Sequence, residues 1–237
     1  MKSAVLASIP SLNRQPRLDA LRGLAMVWMT VYHFCFDLRQ FRLLDADFYR
    51  DPHWTLQRTA IVSLFLICAG LAQALGEPAW PRFWKRWAQI VGCALAVTAG
   101  SMWMFPASFI SFGVLHGMAV MLLLLRVLKP APLVCLLLGL ALVLAPQFVQ
   151  HPFFDSRWTD WVGLITHKPQ TEDYVPLMPW FGVMLFGYGL GRWRPSLLAG
   201  DLPFIARPFA FLGRWSLSYY MLHQPVMIGL LTLTMRA

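Results

Sequence analysis

The sequence predicts an all-α, polytopic integral membrane protein with about seven transmembrane helices, and three observations carry that expectation. Hydrophobic residues make up 58% of the 237-residue chain, charged ones only 13%, and the mean hydropathy is +0.55; a soluble domain holds roughly 25% charged residues. Seven apolar segments can be drawn, each close to the roughly 20 residues a helix needs to cross a bilayer. Too few polar faces exist to cover a water-soluble core built from seven such helices.

The segments run in order from residue 18 to residue 234. The first, 18–36, is apolar except for Asp19, Arg22 and His33. The second, 59–75, and the third, 87–104, carry Cys68 and Cys93 among apolar neighbours. The fourth, 109–127, holds His116 between Gly113 and Gly117, and the fifth, 131–149, is nearly pure Leu, Ala and Val around Cys135. The sixth, 175–190, is short and glycine-rich, with Pro176 and Pro179 at its start, so it reads as tilted or as beginning inside the protein. Residues 201–211, with Pro203 and Pro208, read as an interfacial stretch, and the last span covers 212–234 with His223 about midway. The longest connections are 37–58 and 150–174, both mixed in charge and rich in aromatic residues.

Charge sets the expected orientation. With the N-terminus inside, 13 of the 20 Lys and Arg residues fall on the cytoplasmic side and seven outside, which favours N-in, C-out. The basic residues are dispersed among connections, so the net charge of +9 is no nucleic-acid signature. Residues 1–17 read as a cytoplasmic segment and 18–237 as a single transmembrane domain. The N-terminus is too polar after Ile9 to serve as a secretory signal, so the first span is retained. The four cysteines lie in or at the ends of apolar stretches with no metal-binding spacing, and no disulfide is expected.

The first helix concentrates the chemistry. Arg22 and His33 stand eleven residues apart, three turns plus about 20°, so they share a helix face with Asp19 and Asp37. Ionisable groups inside a membrane cost several kcal/mol each, so a line of four calls for a function. Asp37, one turn beyond His33, would fix the imidazole's tautomer and raise its basicity, which suits a general base. Arg22 near the cytoplasmic end would meet a phosphate or snorkel to lipid headgroups. His116 and His223 place further imidazoles in other spans, where the three histidines would converge on one cavity; a haem pair would leave an odd histidine, and no haem is expected. His53 shares an outer loop with Asp45, Asp47 and Asp51, a spacing that matches no standard metal set, and no metal is expected. His151 and His167 read as surface residues.

Five stretches together resemble the heparan-α-glucosaminide N-acetyltransferase catalytic-domain family of integral-membrane acyltransferases, and its bacterial branch in particular. They are LDALRG (18–23), FLICAG (65–70), GVLH (113–116), DYVPLMPWFG (173–182) and GRWSLSYYMLHQP (213–225). An Arg and a His separated by ten residues, as in Arg22 to His33, likewise resemble the opening helix of integral-membrane acyltransferases. The resemblance implies transfer of an acetyl or other acyl group from cytosolic acyl-CoA to an acceptor reached from the opposite face. It also implies a multi-pass protein of the cell (inner) membrane. His223 matches a histidine of the family's last motif, His116 stands where the animal enzymes have glutamine, and His33 where they have asparagine. Their catalytic histidine lies just before the second span, where His53 is the nearest equivalent.

These readings combine into one expectation: His33, oriented by Asp37, takes a proton from an acceptor hydroxyl or amine as it attacks the thioester. Arg22, with Arg14 or Arg17, holds the donor's phosphates, while His116 and His223 orient the acceptor or polarise the carbonyl. A covalent acyl-imidazole on His33 or His53 is the variant mechanism. The expected partners are the lipid bilayer, acyl-CoA and a carbohydrate or envelope acceptor, and small-residue helix faces would permit a homodimer. The rival is a non-enzymatic protein, a small transporter or the membrane subunit of a larger assembly, although neither internal repeats nor paired broken helices are present.

Overall fold

The structure is a computed structural model describing residues 15–236. Its secondary structure is all helical, with no strand among the described residues: α1 (Pro16–Gln40), α2 (Pro52–Leu75), α3 (Trp80–Met104), α4 (Val114–Leu128), α5 (Pro132–Phe148), α6 (Leu177–Trp193), α7 (Arg207–Arg214) and α8 (Ser216–Arg236). Four short 3-10 turns lie in the connections after α5 and α6. Proline sits in the first turn of α1, α2, α3 and α5, where its missing N–H removes no helix bond and its fixed φ favours initiation.

By length and composition α2 and α3 are long and apolar enough to cross a membrane, and α4 and α5 are shorter apolar helices. Both longer helices begin seven residues before the apolar stretches do, because their polar first turns (Pro52 to Arg58, Trp80 to Arg86) are helical too. Hydropathy marks where a helix is apolar, not where it starts. The segment expected at an interface becomes a 3-10 turn at Phe204–Ala206 followed by α7, and a break at Trp215 separates α7 from α8.

Glycine decides how the helices meet. α6 lies between α2 and α5 and presents glycine to both. A Cβ on Gly187 would stand 2.4 Å from the Ile67 carbonyl oxygen, and one on Gly70 would stand 2.2 Å from that of Met184. On the other side, a Cβ on Gly182 would lie 2.4 Å from the Gly139 oxygen. Backbones this close gain dispersion contacts along their length, which is how small residues join helices without a hydrophobic driving force. α7 crosses α1 in the same way, with Gly23 against Phe209 and Gly213 against Asp19.

Contact order along these crossings gives the helix directions. α6 runs parallel to α2 (Ile67 meets Gly187, Ala74 meets Gly191) and antiparallel to α5 (Val143 meets Gly182, Cys135 meets Gly189). α4 runs antiparallel to α3, with Trp87 bonded to Ala119 and Thr98 to His116. The main core gathers Leu66, Met121, Leu125, Met184 and Leu185 between α2, α4 and α6. A second cluster, Met26, Met29, Tyr32, Phe48 and Ile61, packs α1 on α2 and the turn before it. α5, by contrast, buries only Cys135 and Gly139 and leaves Leu133, Leu136, Leu137, Leu140 and Leu144 exposed. An apolar face of that extent marks a lipid or partner surface.

Candidate active site

Three polar rungs join α1 to α8. The first is Tyr219, whose hydroxyl lies 2.7 Å from Thr30 Oγ1; because Thr30 donates to the Met26 carbonyl, the tyrosine is the donor. The second is His33 Nδ1 to His223 Nε2 at 2.8 Å, with the rings nearly coplanar at 14°. The third is Gln224 Nε2, which donates to Asp37 Oδ1 at 2.6 Å. Residue numbers rise together along both helices, so α1 and α8 run parallel. The periodicity that put Asp37 on the His33 face of α1 is present, but α8 supplies the partners.

The second rung fixes its own tautomers. His223 Nδ1 lies 2.7 Å from the Tyr220 carbonyl oxygen, which can only accept, so Nδ1 carries the proton and Nε2 the lone pair. His33 Nδ1–H must then donate to His223 Nε2, which leaves the lone pair of His33 on Nε2. A neutral imidazole held this way keeps Nε2 as its acceptor nitrogen. The orienting group expected for His33 was Asp37, and the structure corrects this. Asp37 bonds Gln224, and His223 holds His33, because the α8 backbone brings His223 alongside His33 while Gln224 reaches the next turn of α1.

The other sequence candidates lie apart from this pair. His53 is exposed in the first turn of α2, where its Nε2 meets Gln57 Nε2 at 2.8 Å and Gln57 in turn accepts from Trp28 Nε1 on α1. His116 is engaged at both nitrogens: Nδ1 accepts from the Gly113 N–H, and Nε2 donates to Thr98, whose hydroxyl is used on the Ile110 carbonyl. It closes the start of α4, and its hydrogen bonds go to Gly113 and Thr98 rather than to His33 or His223. His151 accepts from the Phe153 N–H, and His167 lies beside Asp155 at the surface.

At the opposite end of α1, Arg22 pairs with Asp19 at 3.2 Å and Arg17 donates twice to the Asp201 carbonyl. Arg14 lies outside the described residues. A groove of about 610 Å³ opens beside them, lined by Pro16, Asp201, Leu202, Arg207, Ala210, Phe211 and Arg214. Among the described residues neither Arg207 nor Arg214 meets a carboxylate; Arg207 lies over the Phe204 ring. Arg207 and Arg214 are among the 13 basic residues assigned to the cytoplasmic side, and Tyr219 and Gln224 fall within the 213–225 stretch, but none of the four stands out in the sequence as a site residue. The available signal was the alternation of Tyr219, His223 and Gln224 along α8 opposite Thr30, His33 and Asp37.

Electrostatics in the connections is set by burial and local bonds. Burial pushes the Asp173 carboxyl up although Oδ2 accepts from the Val114 N–H at 2.7 Å, capping α4. Gly113 leaves room for that cap, since a Cβ there would stand 2.3 Å from Oδ2. Asp160 is buried with neither carboxyl oxygen hydrogen-bonded, and burial raises its pKa to about 6. Hydrogen bonds, first from the Thr166 hydroxyl, hold Asp155 at about 2. On the far side, Lys129 at 2.9 Å draws Glu77 down. All four cysteines are free thiols, and no group of three or more potential metal ligands occurs among the described residues.

A sequence model of the heparan-alpha-glucosaminide N-acetyltransferase catalytic family matches residues 14–225, which contain the whole ladder. The chain belongs to that family. Comparison with curated proteins and with solved structures returned no match. Membership in the N-acetyltransferase family brings a membrane enzyme of acetyltransferase type, with an acetyl-CoA-type donor in general.

Proposed function

We propose that the protein spans the cell (inner) membrane seven times, N-in and C-out, and transfers an acyl group from cytosolic acyl-CoA. The acyl group is acetyl, and it passes to a hydroxyl or amine of an extracytoplasmic sugar-like or envelope acceptor. The observation that carries this reading is the tautomer-fixed histidine pair between the first and last helices. Alternating helix directions support the odd number of crossings: α1 and α8 are parallel, as are α2 and α6, while α5 opposes α6.

His33 Nε2 accepts the proton of the acceptor's O–H or N–H as that heteroatom attacks the thioester carbonyl carbon. The new C–O or C–N bond forms, the C–S bond breaks, and the departing thiolate takes the proton from the imidazolium. While His33 is charged, its Nδ1–H bond to His223 becomes charge-assisted and strengthens by roughly a factor of two. The groove supports the donor end, because its size falls in the ~300–1,000 Å³ range of ligand sites and Arg207 and Arg214 present guanidinium donors to phosphate. Asp201, whose carbonyl Arg17 holds, is part of its lining.

Purified protein in detergent, given acetyl-CoA and glucosamine, should release CoA. His33→Ala should abolish release while retaining acetyl-CoA binding. Arg207→Ala/Arg214→Ala should weaken that binding at least about 10-fold, since each hydrogen bond to a charged group contributes about 1.5–3 kcal/mol. A folded wild type that neither binds acetyl-CoA nor releases CoA refutes the proposal.

A further inference from the structure

The C-terminal end of α1 carries a second opening, of about 590 Å³, lined by Arg39, Gln40, Arg42, Leu44 and Asp45. By helical rise it stands about 33 Å from Arg17 and the arginine-lined groove, so it is a separate site. After α1 the Leu43 N–H bonds the Leu38 carbonyl at 2.8 Å and the Arg42 N–H that of Arg39 at 2.9 Å, the closure of a Schellman motif. The left-handed position of that motif usually holds glycine, and here it holds Arg42 at φ 60°. A side chain kept where glycine would relieve the backbone points to a use for that side chain. The helix end is closed by backbone N–H groups, so the two guanidiniums are not spent on it. Among the described residues neither Arg39 nor Arg42 has a carboxylate within 4 Å. The positive charge continues across the loop. Arg39 lies 5.6 Å from the centroid of the Tyr49 ring and Lys168 lies 5.8 Å from it. Arg58 acts electrostatically on both Tyr49 and Lys168. The acids nearby are taken by neutral donors. Asp47 accepts from the Tyr49 and Arg50 N–H groups, Glu172 from the Ser108 and Tyr49 hydroxyls, and Asp173 from the Val114 N–H. Asp45, in the lining, is the exception. Four cations therefore gather around Tyr49 and the opening beside it.

We propose that Arg39 and Arg42, with Lys168 and Arg58 across Tyr49, form a phosphate-binding site at the C-terminal end of α1. Guanidinium forks match pairs of phosphate oxygens, and Lys168 adds a compact point charge. The carbonyl end of the α1 dipole opposes an anion with roughly half a charge, which four cations outweigh even with Asp45 beside them. The ligand is a phosphate ester, dissolved or presented as a lipid headgroup. On the topology proposed above the site faces the outer side, where Lys and Arg are disfavoured in short connections, so their retention there calls for a role. Only that placement rests on the proposed topology, and the site stands independently of acyl transfer.

The test uses the full chain in neutral detergent, carrying Arg207→Ala/Arg214→Ala so that the groove at the other end of α1 does not contribute. Inorganic phosphate and dihexanoyl phosphatidylglycerol are titrated separately, and binding is read by microscale thermophoresis. Saturable binding of inorganic phosphate supports the site with a dissolved phosphate compound as its ligand. Saturable binding of the lipid alone supports it with a headgroup as its ligand. Arg42→Gly, added to that background, should weaken binding by about tenfold or more, because the lost hydrogen bonds are charge-assisted. It should not lower the melting temperature, because glycine suits the left-handed turn. Lys168→Gln, on the other side of Tyr49, should weaken binding severalfold without touching that turn. Binding of neither probe, or an affinity unchanged in either variant, overturns the four-cation site.

Discussion

His223→Ala is the substitution whose effect follows most directly from the geometry. It removes the 2.8 Å bond that holds the His33 proton on Nδ1. In the resting state that bond joins neutral groups and is worth about 1 kcal/mol, enough to bias the tautomer several-fold. As His33 takes up a proton the bond becomes charge-assisted, at about 1.5–3 kcal/mol. Only the difference, about 0.5–2 kcal/mol, is felt in the barrier, so with tenfold in rate for every ~1.4 kcal/mol kcat should fall by about 2- to 30-fold, with KM for acetyl-CoA unchanged. His33→Ala removes the base itself and should cost at least ~10²–10⁴-fold. His223→Gln retains an amide oxygen that can accept from His33 Nδ1–H and should recover part of the loss. Initial rates of CoA release over a range of acetyl-CoA concentrations, with thermal unfolding as a check on folding, read all three variants. A His223→Ala enzyme with wild-type kcat, or a glutamine variant no better than the alanine one, would refute the orienting role.

Two further outcomes follow from packing and charge. Gly187→Ala would place a Cβ against the Ile67 backbone and force α2 and α6 apart, costing about 1–3 kcal/mol in detergent unfolding. Gly229→Ala, with nothing within 4 Å, should be neutral, and equal stability of the two variants would contradict the close crossing. Asp160 is an acid whose folded pKa, about 6, exceeds its ordinary 3.8, so the folded state binds more protons between those values and stability falls as pH rises through them. After allowance for nearby Arg157 and screening, the loss is about 1–2 kcal/mol. Asp160→Asn should flatten the difference in melting temperature between pH 4 and pH 7, and an undiminished difference would show another group to be responsible.

Apolar runs made the helices legible in the sequence, whereas the glycine-rich sixth segment read as tilted, and the close crossings its glycines make with α2 and α5 emerge only from the fold. Helix starts were less legible, because the first turns of α2 and α3 are polar and carry no hydropathy signal. His33 and His223 were each visible as ionisable groups in apolar surroundings. Their convergence was expected together with His116, but the direct bond between them joins positions 190 residues apart and depends on how α8 returns beside α1. The i, i+4 relation of His33 and Asp37 considers one helix alone, so it could not foresee that His223 and Gln224 would take both partners. Gln224 and Tyr219 carry no charge and gave no composition signal. Arg207 and Arg214 become notable only when α7 folds against the start of α1 and a groove opens between them.

The parallel seating of the last helix against the first has a consequence for biogenesis. Every rung of the ladder needs one residue from α1 and one from α8, with six helices between them. A partly inserted chain therefore carries His33 without tautomer control and Asp37 without its Gln224 partner, whatever the state of its other helices. On the proposed acyl-transfer chemistry, competence arrives in a single step, when α8 docks, because no rung exists before then.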